Sequence, residues 1–248
     1  MQTMMVQTKI DFKRAYWRNP RFVIFSLLMP IAFYLLFTKV MKQGVMNAAF
    51  NRQYMVSMAT YSLVLSNTFT LSTLLYNDAR DGLVSLIDLS PTSHRTYYGA
   101  KLLNLGLINA LTIGVIFIVA GISNQIHLAW SSWLLTAGWL WLASIPLCLI
   151  GISISFLKDE NQIQLVSNLL AFPLAILGGL WWPTEIMPKT ARVIGKHLPV
   201  YPINHIGQAL IAHQPAHLGE YGITLLWAGL LLAIVVYLNH HKRGAMHA

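Results

Sequence analysis

Two long apolar segments of the sequence, residues 54–76 and 163–180, carry uncharged polar or aromatic side chains that could contact a solute. These residues are Ser66, Asn67 and Thr70 in the first segment and Asn168 and Phe172 in the second. Polar side chains are costly in an apolar environment unless they find hydrogen-bond partners or water. They therefore either line a pathway for a passing solute or bond neighbouring helices together. We favour packing for the serine and threonine and the pathway for the two asparagines.

Other residues that often carry chemistry do not form a recognisable site. A phosphate-binding loop needs Ser or Thr after Gly-Lys, but His197 follows Gly195-Lys196. His213 and His217 are separated by Pro215, which argues against one helix presenting both to a metal. The acids are few and none lies in a predicted span, so no Ser-His-Asp triad can be assigned. We assign no catalytic residue, no metal ligand and no bound cofactor.

The composition places these residues in a membrane protein. Of 248 residues, 56% are hydrophobic and only 10% are charged, whereas a soluble domain has about 25% charged residues. The net charge of +9 is better explained by basic flanks beside anionic lipid headgroups than by nucleic-acid binding. Cys148 is the single cysteine, so an intrachain disulfide is impossible.

Six apolar segments are long enough to cross the membrane, because a helix of about 20 residues spans the hydrocarbon core. The predicted spans are Phe22 to Val40, Tyr54 to Tyr76, Leu102 to Ile122, Trp133 to Phe156, Ile163 to Leu180 and Tyr221 to Asn239. With both termini in the cytoplasm, eleven of the 17 Lys and Arg residues lie on the inner side, as the positive-inside rule requires. No charged residue lies near the centre of a predicted span, which argues against an ion-coupled carrier.

The stretch before the first span predicts an interfacial helix over residues 1–20. Its apolar and aromatic residues fall on one side at helical spacing, with lysines and Arg14 around them. Such a helix suits the boundary of the headgroups. The alternative is a simple basic flank that only fixes the topology.

A short amphipathic helix is predicted over about residues 78–90, between spans two and three. Leu83, Leu86 and Ile87 have the spacing of an apolar ridge, and Ser90-Pro91 ends the helix. Asp81 lies toward its start, where the helix dipole favours an anion. On this pattern alone, the ridge either docks into a partner or packs against the ends of the protein's own helices.

The segment before the last span is too polar to cross the membrane and too apolar for a free loop. It contains Trp181, Trp182, Pro183 and Pro188. Paired tryptophans suit the interface, and irregular backbone at membrane depth must be buried in protein or line a cavity. We predict short re-entrant or interfacial helices over about residues 181–203 that cap the external side.

These regions together resemble an ABC-2 type transport permease, the membrane subunit of one class of ATP-binding-cassette exporters. Between spans two and three, the resemblance rests on Asp81-Gly82, Leu86, Ser90-Pro91 and Gly99-Ala-Lys101. Before the last span, it rests on Gly179-Leu-Trp-Trp-Pro183, Met187-Pro188 and Leu198-Pro199. The family often has Glu or Arg-Glu before the glycine, where this chain has Asp78-Ala-Arg-Asp81.

The resemblance implies an all-α fold of six transmembrane helices in the cell membrane that pairs with a second copy or a related permease. Two copies of a cytoplasmic ATPase would bind ATP and Mg and drive export of an amphipathic or lipid-like substrate. Spans two and five would face the substrate path. The segment that contacts the ATPase would be the coupling helix, with Asp81, Gly82, Leu83, Leu86, Ile87 and Pro91. The alternative function is a membrane scaffold or sensory component that transports nothing.

Overall fold

The computed structural model describes residues 23–40, 48–82 and 94–246, which form helices joined by turns, without a strand in these ranges. The helices are α1 (residues 23–40), α2 (residues 48–80), α3 (His94–Asn124), α4 (Trp130–Ala143), α5 (Ile145–Ile154), α6 (Glu160–Leu177), α7 (Lys189–Lys196), α8 (Val200–Ile211) and α9 (Leu218–Met246). A 3₁₀ turn covers Thr184–Ile186. The prediction of an all-helical fold is confirmed for the described part of the chain. The predicted interfacial helix over residues 1–20 lies outside it.

Helix α2 is the central helix of the bundle. Every residue from 54 to 68 is buried, because α1, α3, α6 and α8 pack around this part of the helix. A helix enclosed by protein does not need an apolar surface toward lipid, so hydroxyl and amide side chains are tolerated wherever neighbours satisfy them. The burial of this helix by its neighbours is therefore compatible with its polarity, although the hydroxyls of Tyr54, Tyr61 and Ser66 have no hydrogen-bond partner among the described residues.

Three stretches are long and apolar enough to cross a membrane. They are Lys101–Asn124 in α3, Trp130–Ile154 in α4 and α5 together, and Leu218–His241 in α9. Only 11% of the α9 stretch is buried in the chain, against 44% and 50% for the other two. Large apolar side chains such as Leu225 and Leu226 are exposed on α9, and lipid is the solvent that suits such a surface.

The other three predicted spans stay predictions. Ser26–Val40 is apolar but shorter than the usual crossing length. Helix α2 carries many hydroxyl groups, and α6 begins with the polar run Glu160 to Gln162, so neither reaches the apolar character of the other three. Composition measures how well a helix surface suits lipid. Helix α2 is covered by other helices, so this measure does not apply to most of its surface.

Close packing between α2 and its neighbours depends on two glycines. In its middle, α2 changes to π geometry over Ser66–Leu71, and Gly151 of α5 lies there against the carbonyl oxygen of Asn67, where a Cβ would clash. Nearer the start of α2, a Cβ on Gly207 of α8 would lie 2.8 Å from Cγ1 of Val56. Because glycine has no side chain, α5 and α8 can approach α2 more closely than other residues would allow.

The chain after α6 turns back into the bundle. Gly179 has a φ of +73°, a left-handed conformation that glycine adopts at little cost. Helix α7 follows with Val193 and Ile194 exposed, and α8 then packs with buried residues against α2 and α4. The region predicted as short re-entrant helices thus contains the 3₁₀ turn, α7 and the start of α8.

Candidate coupling and translocation sites

A buried ion pair joins α2 to α3. The Oδ2 atom of Asp78 lies 2.5 Å from Nζ of Lys101, and the two side chains are 1% and 6% exposed. Asp78 belongs to the last turns of α2, and Lys101 to the first turns of α3. Buried charges are stable only when paired, so each residue depends on the other. The pair holds together the two helices that flank residues 83–93.

The residues predicted to contact an ATPase lie partly at this end of α2. After Arg80, Asp81 N–H donates to the Asn77 carbonyl at 2.8 Å, and Gly82 adopts a φ of +71°. A glycine in this conformation is a common helix ending. Asp78 therefore lies in α2 and not at the start of a separate coupling helix, because the helix continues until Arg80. The other predicted contacts, Leu83, Leu86, Ile87 and Pro91, lie outside the described residues.

A second turn lies against the same end of α2. The side chain of Asp159 accepts a hydrogen bond from Gln162 N–H at 2.8 Å and caps α6, as a helix start prefers. The hydroxyl of Tyr76 donates to the Lys158 carbonyl at 3.3 Å. The turn between α5 and α6 is therefore tied to α2, two residues before Asp78.

Asn67 is the centre of a buried polar network between α2, α3 and α5. Its Nδ2 donates to the Leu63 carbonyl at 2.7 Å and lies 3.4 Å from Asn109 Oδ1, while Cys148 Sγ lies 3.0 Å from Asn67 Oδ1. Asn109 Nδ2 in turn donates to Ser144 Oγ at 3.1 Å. Asn67 is completely buried. The polar atoms of Asn67 are thus occupied within the chain, and its assignment to a pathway stays a prediction.

The other polar residues predicted on α2 are buried as well. Ser66 and Thr70 are 1% and 8% exposed. The nearby backbone also receives a bond from α6, because Ser167 Oγ donates to the Thr68 carbonyl at 2.7 Å. Oγ of Ser66 has no hydrogen-bond partner among the described residues, so the choice between packing and pathway for Ser66 and Thr70 stays a prediction.

Asn168 and Phe172 lie instead on an exposed face of α6. Asn168 is exposed and donates to the Gln164 carbonyl one turn earlier at 2.9 Å. Phe172 is 38% exposed and is accompanied by exposed Leu165 and Leu169. The structure thus separates the predicted pathway residues into a buried group on α2 and an exposed group on α6.

The predicted external cap is an aromatic cluster around Trp181. The Trp181 ring lies 5.5 Å from that of Phe33, 5.6 Å from Tyr61 and 5.8 Å from Phe172, between ring centroids. Trp182 is 43% exposed. Pro183 and Pro188 are the N-cap residues of the 3₁₀ turn and α7, respectively. The cluster joins α1, α2 and α6.

Comparison with known proteins decides the family. The model of the ABC-2 type transporter family matches residues 4–211. The chain belongs to this family. A protein of Bacillus subtilis (strain 168) named "Putative transport permease YvfS" is 33% identical over 202 residues, which cover 81% of this chain and 82% of that protein.

The family membership confirms the resemblance that the sequence motifs indicated. As an ABC-2 permease, the chain is a multi-pass membrane protein that serves transport and not catalysis. Permeases of this family normally work with an ATPase partner. The buried ion pair, the α6 face and the aromatic cluster are therefore parts of a transport permease.

The sequence reasoning on this permease missed three polar groups. The first is the Asp78–Lys101 pair. The second is His205, whose Nδ1 lies 2.9 Å from Glu220 Oε1. The third is Asn204, 4% exposed on α8. The sequence could have indicated Glu220 as a residue with a buried partner, since it is an acid at the start of the long apolar stretch of α9.

Proposed function

We propose that this permease forms the pathway of an ATP-driven exporter for an amphipathic or lipid-like substrate. It works as a dimer with a second copy or a related permease and with two copies of a cytoplasmic ATPase that binds ATP and Mg. Both termini are cytoplasmic, and the protein resides in the cell membrane among its lipids. The multi-pass ABC-2 family membership supports this assignment.

The observation that carries the mechanism is the buried Asp78–Lys101 pair. Because it ties α2 to α3 at 2.5 Å, a force on residues 83–93 moves both helices together. Helix α2 is packed against α1, α3, α6 and α8. A displacement of α2 is therefore transmitted to much of the bundle, since packed interiors deform as units and transmit strain.

The exposed α6 face fits the inner surface of the proposed pathway. It presents Asn168 and Gln164 beside Phe172 and Leu169. A mixed surface of this kind is costly against lipid but suits an amphipathic solute or the facing helix of a second protomer. In this proposal, the α6 face lies where the two halves of the transporter meet.

Co-purification and ATPase activity test the proposal. The tagged permease is isolated in mild detergent from cells that also express the candidate ATPase, and hydrolysis is measured with and without amphipathic compounds. We expect association and stimulated hydrolysis, and we expect Leu86→Asp to remove the stimulation because it places a charge on the docking ridge. Folded permease that never binds an ATPase would favour a scaffold, and transport that an uncoupler abolishes and ATP does not affect would favour an ion-coupled carrier.

A further inference from the structure

A cavity of about 510 Å³ lies between α7, α8 and the start of α9. We call it the α7–α9 cavity. Its volume falls within the range of about 300–1,000 Å³ for small-molecule pockets. Its lining is rich in basic and imidazole side chains and includes Arg192, Lys196, His197, His205, His217 and Glu220.

Helix α7 presents two cations to this cavity. Arg192 and Lys196 are four residues apart, so they lie on the same face of the helix, one turn from each other. Both line the cavity, whereas Val193 and Ile194 between them are exposed. The guanidinium group of Arg192 donates to the Met187 carbonyl at 3.3 Å, and with five N–H donors it can bond several acceptors at once.

Packing holds the basic helix in place. A Cβ on Gly195 would clash with the carbonyl oxygen of Leu177, so α7 lies directly against the end of α6. At the end of α7, Nε1 of Trp227 in α9 donates to the His197 carbonyl at 2.7 Å. The two cations therefore stand on a fixed wall, and a preformed site binds at a lower cost in ordering.

The carboxylate in the cavity is already engaged. Glu220 is the one acid among the described lining residues, and it is 8% exposed. Its two carboxylate oxygens lie 2.9 and 3.0 Å from Nδ1 of His205. Two permanent cations, Arg192 and Lys196, face this one carboxylate, so the permanent charges of the described lining leave the cavity positive.

Two helix starts add to the positive potential. Tyr201 is the second residue of α8 and Gly219 the second residue of α9, and both line the cavity. The N–H groups of a first turn have no partner within their own helix and carry a partial positive charge. The side chains of α7 and the starts of α8 and α9 thus favour the same kind of ligand, an anion.

The position of the cavity along α9 indicates which anion it meets. The apolar stretch of α9 begins at Leu218, between the lining residues His217 and Gly219. The cavity therefore lies where the chain passes from the hydrocarbon core to the headgroup region, beside the exposed apolar residues of α7. Phosphate is the anion of that region, and arginine and lysine both bind its oxygens through charge-assisted hydrogen bonds.

We propose that the α7–α9 cavity binds a phosphate group, carried either by the headgroup of a membrane lipid or by a soluble phosphate ester. Arg192 and Lys196 bind the phosphate oxygens, and the first turns of α8 and α9 favour its charge. A second cavity of about 350 Å³ shares Thr184, Tyr201, His205 and His217 with the first and gives room for the rest of the molecule. Binding needs neither ATP nor the ATPase, so it can fail while the export proposal stands.

The test uses the whole permease, delipidated in dodecyl maltoside, a detergent without phosphate. Glycerol phosphate is the soluble probe, phosphatidylglycerol is the lipid probe, and monoglucosyldiacylglycerol with the same acyl chains is the uncharged control. Phosphorus NMR follows the soluble probe, and native mass spectrometry follows the lipids. We expect saturable binding of at least one phosphate probe and binding of the glycolipid at least about tenfold weaker.

The two phosphate probes distinguish the sources of the ligand. Binding of phosphatidylglycerol alone identifies a lipid headgroup, and binding of glycerol phosphate alone identifies a soluble ester. Binding of both shows that the phosphate group itself is recognised. Absence of binding for both probes, or binding of the glycolipid as tight as that of the phosphate probes, would overturn the proposal.

Variants link the binding to the cavity. Arg192→Gln and Lys196→Gln should each weaken phosphate binding about tenfold, the loss of one charge-assisted hydrogen bond. Lys196 is exposed, so its substitution should leave the fold intact, and Lys196→Arg, which keeps the charge, should retain binding. Lys189→Gln is the matched control, because it removes the same charge from the same helix at a position that is not among the described lining residues. Equal weakening by Lys189→Gln and Lys196→Gln, or no weakening by Lys196→Gln, would also overturn the proposal.

Discussion

The carboxylate of Asp78 and the ammonium group of Lys101 are joined at 2.5 Å in the interior of the protein, where α2 ends and α3 begins. Asp78 belongs to α2 and Lys101 to α3. In the sequence, the segment proposed to bind the ATPase lies between them. In the proposed mechanism, this pair acts as a clamp that makes α2 and α3 move together when the ATPase acts on residues 83–93.

Breaking the clamp should destabilise the permease strongly. We expect Lys101→Met to lower the free energy of unfolding by about 3–5 kcal/mol, because Asp78 would remain as a buried unpaired charge. Unfolding by SDS titration in detergent micelles measures the change. The double variant Asp78→Leu with Lys101→Met should recover most of the loss, since no charge is left buried.

The exposed pair next to it is the matched control. Arg80 Nε lies 3.5 Å from Asp81 Oδ1 with both side chains about half exposed, so Arg80→Gln should change stability by about 0–1 kcal/mol. A Lys101→Met variant as stable as Arg80→Gln would contradict the clamp.

Asn67 and Asn168 should respond differently to substitution by leucine. Asn67→Leu removes the partner of Asn109 and Cys148 and should cost about 1–3 kcal/mol of stability. Asn168→Leu changes an exposed residue and should leave stability within about 0.5 kcal/mol, while it alters the ATPase stimulation by amphipathic compounds. Equal losses of stability in both variants would remove the distinction between packing on α2 and the pathway on α6.

Substitution of Gly151 tests the close packing of α5 on α2. In Gly151→Ala, the new Cβ would clash with the Asn67 carbonyl oxygen, so we expect a loss of about 1–3 kcal/mol. Gly114→Ala is the control on α3, because no atom lies within 4 Å of its Cβ position. Alanine favours the helix there by up to about 1 kcal/mol. Thermal unfolding of both variants gives the comparison, and a stable Gly151→Ala would mean that α5 packs less closely.

Alanine and asparagine in place of Gly82, which follows the end of α2, should lower stability by different amounts. Its φ of +71° disfavours alanine although no atom lies within 4 Å of the Cβ position. Gly82→Ala should therefore cost about 1–2 kcal/mol, whereas Gly82→Asn should cost less because asparagine tolerates this conformation. If ATPase stimulation falls in the same order, the turn positions the coupling segment. Identical behaviour of both variants would show that the turn conformation does not matter.

Much of the helical architecture could be predicted from the sequence, because apolar stretches such as Lys101–Asn124 depend on local composition alone. Trp181 and Trp182 also indicated short re-entrant or interfacial helices before the last predicted span. The pairing of Asp78 with Lys101 could not be predicted, since it depends on how α2 and α3 approach each other. The same is true of His205 and Glu220, which meet only because α8 returns to the bundle.

The position of Asn67 shows a second limit of sequence reasoning. Ser66, Asn67 and Thr70 have the spacing of one helical face, and that pattern is the same for a pathway and for a packed interface. Whether these residues line a pathway or a packed interface depends on which helices surround α2. On α6, by contrast, Asn168 and Phe172 are exposed. Composition alone did not show that the polar residues of α2 are buried and those of α6 exposed.

ATP hydrolysis by the reconstituted complex tests the central claim most directly. The permease and its ATPase are placed in proteoliposomes, and hydrolysis is compared between the wild type, Leu86→Asp and Arg80→Gln across a panel of amphipathic compounds. We predict that the wild type and Arg80→Gln stimulate hydrolysis, while Leu86→Asp, although folded and inserted, does not. Equal stimulation by Leu86→Asp, or no stimulation by the wild type, would contradict the account.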